Sequence, residues 1–188
     1  MFDEVHERNL PTDLGLALCV DARRLLRPDL RLLAMSATAD TERFAQVLGD
    51  PAGGPAPVIV SEGRQHPVEV RWAPPRPGER PAEATAAVVV RALREEAGDV
   101  LVFCPGIGEI RRIAALLTGP VGPEVDVLAL AGALTPAEQD RALAPSPPGR
   151  RRVVLSTDIA ETSLTVDGVR VVVDGGWARR PRYDVRTG

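Results

Sequence analysis

Val153-Val154-Leu155-Ser156-Thr157-Asp158-Ile159-Ala160-Glu161-Thr162-Ser163-Leu164-Thr165-Val166-Asp167-Gly168 is the stretch on which the fold turns. A short apolar run ends in a cluster of hydroxyls and carboxylates, and a second apolar run, Val169 to Val173, follows and ends in Asp174-Gly175-Gly176. The two runs read as strands flanking a loop rich in Thr and Ser. Hydroxyls and backbone amides at a strand's end suit phosphate or ribose contacts. A capped loop between two strands fits the composition equally well.

Outward from this stretch, strand-like and helix-like segments alternate, which favours a parallel α/β sheet. Thr12 to Leu26 carries apolar residues at helical spacing (Leu14, Leu18 and Leu25, with Ala17 and Ala22) and stops before Pro28. Leu30 to Met35 reads as a buried strand ending in Ser36-Ala37-Thr38. Thr41 to Leu48 reads as a short helix closed by Gly49, and Pro57 to Val60 as a strand. Loops rich in Pro and Gly occupy Asp50 to Pro57 and Ala73 to Pro81, and a domain boundary is expected between them, near Ser61 to His66. Beyond it the spacing predicts strands at Val68–Trp72, Val100–Phe103 and Val125–Leu130. Helices are expected at Ala82–Ala97, Ile107–Leu117 and Pro136–Leu143, the last opened by Thr135 as N-cap. Two incomplete α/β units result, residues 1–61 and 62–188.

The bulk composition, 44% hydrophobic and 26% charged, is that of an ordinary globular chain. Aromatics are only 3%, so the core must come from aliphatic side chains, and nucleic-acid binding by rows of stacked aromatics is not expected. A net charge of −3 gives no global attraction to phosphate, which leaves that work to local Arg groups and backbone amides. Cys19 and Cys104 lack a CxxC partner or nearby His and read as reduced core thiols of a cytoplasmic protein. No apolar run approaches the roughly 20 residues needed to span a membrane, and no export signal is visible.

Asp3-Glu4-Val5-His6 is the most chemical of the short motifs. Adjacent carboxylates at a sheet edge can divide phosphoryl-transfer work, one holding Mg²⁺ and the other positioning water. A surface turn with acidic residues is the plain alternative. Zinc binding by His6 fails on spacing, because position 10 is Leu10 rather than His. Ser36 and Thr38 follow a strand and either sense the acids or cap the next helix. Gly106-Ile107-Gly108 departs from a dinucleotide fingerprint, with Arg111 at its third glycine position. Arg150-Arg151-Arg152 and Arg179-Arg180-Pro181-Arg182 are candidates for phosphate contacts, or simply solvated loop edges.

Taken in this order and spacing, the motifs resemble those of bacterial DEAH-box RNA helicases of the HrpB type. Asp3–His6, Ser36–Thr38, Leu101–Ile110 and Ser156–Gly168 match the family's motifs II to V. Ser61-Glu62-Gly63-Arg64, Phe103-Cys104-Pro105-Gly106-Ile107-Gly108-Glu109-Ile110 and Arg186-Thr187-Gly188 are typical of the same proteins. The resemblance implies two incomplete RecA-like parallel-sheet domains of a superfamily 2 helicase that uses ATP and Mg²⁺ on RNA. It gives Asp3 to Mg²⁺, Glu4 to the attacking water, and His6 to communication with the second domain. Ser36 and Thr38 would couple hydrolysis to strand separation. Thr157, Gly132 and Ala133 would contact RNA, and Thr165 and Asp167 the nucleotide. Leu143 stands where related enzymes stack an aromatic on adenine, so weak base selectivity is expected.

A phosphate-cradling loop with its Lys normally precedes such an acid box, and an arginine-finger motif normally follows. This chain begins at the box and contains no Lys. The expectation is a piece of a helicase that hydrolyses ATP negligibly by itself. The alternative is a non-catalytic nucleic-acid-binding remnant.

Overall fold

Asn9 starts the first long helix by accepting the Thr12 N–H on its side chain at 2.9 Å, with Pro11 pre-set in the first turn. This helix, α1 (Leu10–Leu25), buries Leu16 and Val20, and the helical register ends before Pro28. A second helix, α2 (Thr41–Leu48), ends against Arg23, whose Nη2 donates to the Leu48 and Gly49 carbonyls at 2.8 and 3.1 Å. A cation on the last carbonyls satisfies groups that a helix end leaves open. Gly49 is required there: a Cβ would come within 2.4 Å of the Gly54 carbonyl oxygen. The computed structural model describes residues 1–37, 41–50, 53–61, 66–157 and 166–178. They fall into two compact units, Met1–Val68 and Glu69–Gly188.

Three expectations for the first 72 residues need correction. Leu30–Met35 is no strand but a single parallel rung, Phe2 with Ala34. Pro57–Val60 and Val68–Trp72 carry strand-forming residues, yet neither is a strand, and Ile59 and Trp72 are 95% and 91% exposed. Strand propensity is realised only when a ladder partner takes up the backbone groups, and these segments find none among the described residues. On α1 the expected apolar row Leu14, Leu18 and Leu25 faces solvent, whereas Leu16 and Val20 go inside.

In the second unit the alternation is realised element by element. Helix α3 (Pro81–Glu95) leads into β1 (Asp99–Phe103), then α4 (Ile107–Leu117), β2 (Val125–Leu130), α5 (Pro136–Leu143), β3 (Arg151–Ser156) and β4 (Val169–Asp174). The four strands form one parallel sheet in the order β2-β3-β1-β4, with Leu101 opposite Val154 and Val102 opposite Val173. Parallel sheets need cover on both faces. Val100, Val102, Val153 and Leu155 pack in one cluster with Val89 of α3 and Ile110 and Leu117 of α4. Leu101, Leu130 and Val154 pack in a second with Ala142 of α5 and Val166. Each fully buried Val, Leu or Ile contributes roughly 1.5–3 kcal/mol relative to exposure. Among the described residues no helix is long and apolar enough to cross a membrane.

Candidate functional site

In the first unit the acid pair leaves a parallel rung beside Ser36. The Phe2 N–H donates to the Leu33 carbonyl and the Met35 N–H to the Phe2 carbonyl, both at 2.8 Å. The Val5 N–H then donates to the Met35 carbonyl at 3.1 Å. Asp3 and Glu4 therefore emerge from one segment at the level where Ser36 emerges from the other. Thr38, the second hydroxyl expected here, lies outside the described residues.

Glu4 holds φ 50° and ψ 40°, in the left-handed region that a residue with a Cβ enters only at a cost, and Arg8 repeats it at φ 54°. Between them Val5–Glu7 forms one 3-10 turn whose Val5 is buried. Asp3 Oδ1 accepts the Glu4 N–H at 2.9 Å. Glu4 Oε2 lies 3.3 Å from His6 Nδ1, a close approach without hydrogen-bond alignment, since that nitrogen has no hydrogen-bond partner among the described residues. Two adjacent carboxylates suit Mg²⁺, which takes one or two protein carboxylates and completes its shell with water and phosphate. No cluster of three or more His, Cys, Asp or Glu that could hold a metal stands among the described residues.

In the second unit the strand ends converge. Phe103 at the end of β1 with Pro105 beyond it, Gly132 after β2, Thr157 after β3, and Asp174 at the end of β4 with Trp177 beyond it line one groove of roughly 580 Å³. The carboxyl edge of a parallel sheet is where ligands of such folds bind. Three of the expected nucleic-acid contacts, Gly132, Ala133 and Thr157, lie together in this groove. Thr157 is fixed by its backbone N–H, which donates to the Leu130 carbonyl at 3.1 Å. The Gly132 and Ala133 N–H groups are committed to no backbone acceptor among the described residues. Cys104 also lines the groove, but burial, aided by the charge of Glu109, pushes its thiol up to about 12. It stays protonated at neutral pH and is no nucleophile.

Asp167 is placed elsewhere. It immediately precedes β4 at the amino edge of the sheet, whereas Thr157 follows β3 at the carboxyl edge. Thr165, between them in sequence, lies outside the described residues. A buried ion pair anchors this amino edge. Arg152 is 1% exposed; its Nε donates to Asp99 Oδ2 at 2.8 Å, and its terminal nitrogens donate to the Ala142, Ala144 and Asp167 carbonyls. Asp99 also accepts the Arg152 N–H at 3.0 Å and the Ser146 hydroxyl at 3.1 Å. Arg152 is therefore an internal tie, and Arg150 pairs with Asp126, so neither offers a spare charge to phosphate. Arg151 donates to the Leu93 and Gly98 carbonyls at 2.7 Å. Leu143 packs against the second core cluster.

Sequence reasoning did not single out Trp177, and it named Phe103 only as the strand end that opens the Phe103–Ile110 signature. The only signal was the Asp-Gly-Gly strand end ahead of the Trp.

Comparison with known proteins bears on family and fold. Residues 83–185 match the family described as "Helicase conserved C-terminal domain". The chain is 47% identical over 188 residues, its whole length, to the ATP-dependent RNA helicase HrpB of Escherichia coli (strain K12), covering 23% of that protein. It is 37% identical over 194 residues to the pre-mRNA-splicing factor ATP-dependent RNA helicase prp22 of Schizosaccharomyces pombe, covering 16% of it. The crystal structure of E. coli DEAH/RHA helicase HrpB superposes with a TM-score of 0.86 at 48% identity, over 98% of this chain and 23% of that one. The chain thus spans less than a quarter of the length of these relatives.

Proposed function

Because this chain belongs to the helicase conserved C-terminal domain family, we propose that it works within a cytoplasmic DEAH-box ATP-dependent RNA helicase, coupling ATP hydrolysis to 3′-to-5′ unwinding or remodelling of RNA. Residues 1–61 supply part of the first RecA-like domain and residues 62–188 part of the second. The observation that carries the reading is the convergence of four strand ends on one groove, with Gly132, Ala133 and Thr157 in it.

In this reading the Thr157 hydroxyl and the Gly132 and Ala133 amides hold RNA phosphates, contacts that fix register without reading sequence. At the acid pair, Glu4 accepts the proton of the attacking water, while Asp3 and Glu4 hold Mg²⁺. When bound there, Mg²⁺ supplies positive charge against the phosphate oxygens. His6, whose Nδ1 lies 3.3 Å from Glu4 Oε2, links the nucleotide site to the second domain. Ser36, next to the rung that pairs with the segment carrying the box, and Thr38 couple its state to the RNA. Thr165 and Asp167 face the nucleotide from the second domain. Asp167 stands at the amino edge of the sheet, the edge opposite Thr157.

Titration of a fluorescently labelled single-stranded RNA by anisotropy tests the reading. We expect binding that weakens with added salt and falls about 2- to 10-fold in Thr157→Val, the worth of one hydrogen bond. Absence of RNA binding at low salt would remove it. The polypeptide of 188 residues has no Lys to meet the β- and γ-phosphates and should hydrolyse ATP no faster than buffer. RNA-stimulated turnover that disappears in Glu4→Gln would contradict that expectation.

A further inference from the structure

Trp177 is one of only six aromatic residues in the chain, and it is 65% exposed where a folded core would hold it. The local chain geometry puts it there. The Gly176 N–H donates to Asp174 Oδ1 at 2.8 Å, closing a turn directly after β4. Gly176 adopts φ +71°, a conformation that residues with a Cβ avoid. The turn delivers the indole to the groove that Gly132, Ala133 and Thr157 share. Because β2 and β4 are the outer strands, that groove crosses the full sheet edge, three inter-strand gaps of ~4.8 Å each. Its length exceeds a single phosphate site. In sequence, Ala178 separates Trp177 from Arg179, Arg180 and Arg182, a local positive charge in a chain of net charge −3.

We propose that Trp177 is a stacking platform for an unpaired RNA base, set at the β4 end of the groove whose β2 and β3 ends hold the backbone. The proposal rests on the RNA reading above and deepens it. Every base has a π-face, so a single indole binds without choosing among bases. A base inside a duplex has both faces covered by its neighbours, so the platform selects single strands. Uncommitted amides, one hydroxyl and an exposed aromatic in one groove are the parts that single-strand binding combines.

The test uses the full chain carrying Trp72→Phe, which leaves Trp177 as the sole indole; Trp72 lies outside the groove and is almost fully exposed. Labelled oligo(U) and oligo(A) are titrated while RNA anisotropy and Trp177 emission are followed together. Expected are quenching that tracks anisotropy with one Kd, similar affinity for both oligomers, and none of the quenching with blunt duplex. Trp177→Ala should weaken binding about 5- to 150-fold, and Trp177→Phe should recover most of the loss. Circular dichroism confirms that both variants fold. RNA binding with unchanged emission and an unaffected Trp177→Ala would overturn the platform while sparing the RNA reading. No RNA binding at all would take down both. An emission shift that follows protein concentration without RNA would give Trp177 to a second copy of the chain and overturn the proposal.

Discussion

Arg152 is a charge inside a small domain, and its surroundings explain how that is sustained. Asp99 neutralises it, and three carbonyls take three of its four remaining N–H groups. Burying an ion pair yields little net stability, but removing one partner leaves a naked charge in a low-dielectric core. Asp99→Ala should therefore lower stability by about 3–5 kcal/mol in chemical denaturation. Asp99→Ala combined with Arg152→Met should recover much of the loss, since no charge is then stranded. A single variant that melts like a surface substitution would show that the pair is not closed as described. Arg152 also marks where sequence reading fell short. A run of three Arg looks like one basic patch, yet its members end as a surface pair to Asp126, a tie to α3 and to Gly98 ahead of β1, and a buried ion. Which neighbour pairs with Arg in space is not written in its local spacing.

At the scale of elements, α5 shows what a cap does. Thr135 and Glu138 close a capping box: the Thr135 N–H and hydroxyl donate to Glu138 Oε2 at 2.9 and 2.7 Å, and the Glu138 N–H donates back to the Thr135 hydroxyl at 3.4 Å. Thr135→Ala should cost about 1 kcal/mol. The hydroxyl and N–H of Thr135 hold the Glu138 carboxyl below its ordinary value. A depressed carboxyl stabilises fully above its unfolded pKa and loses that contribution as pH falls through the folded one. Stability should therefore decline below about pH 4.3, and Glu138→Gln should flatten that part of the profile. A profile unchanged by Glu138→Gln would dismiss the box. Elements with such local signals were legible: α2 spans the predicted residues, and all four sheet strands were placed within two residues. Pro57–Val60 and Val68–Trp72 were not, because a strand is a property of two segments and only one was being read.

For the molecule as a whole, the two units differ in how well they cover themselves. The second wraps its sheet in helices, whereas the first leaves Leu10, Leu14, Leu18 and Leu25 of α1 exposed in one row. Apolar rows of this kind promote association. The polypeptide alone should bind a hydrophobic dye and self-associate in sedimentation, and Leu14→Glu with Leu18→Glu should reduce both. A monodisperse, dye-silent wild type would contradict this. The acid box and the β3 signature were readable because each packs its chemistry into a few adjacent residues. The groove itself was not, since Phe103, Gly132, Thr157 and Trp177 lie on four strand ends scattered over 75 positions and meet only through the sheet order.

That order also governs how the chain is made. Every ladder in the sheet includes β3 or β4: β1 pairs with both, and β2 pairs with β3 alone. As the polypeptide leaves the ribosome, Val100, Leu101 and Val102 emerge some fifty residues before their first hydrogen-bonding neighbour. Until residue 151 appears, nascent β1 and β2 have no rung to close, and loop-closure entropy must be met in one step when β3 arrives. Synthesis halted before β3 would release helices without a sheet, and synthesis halted after β4 a domain ready to close.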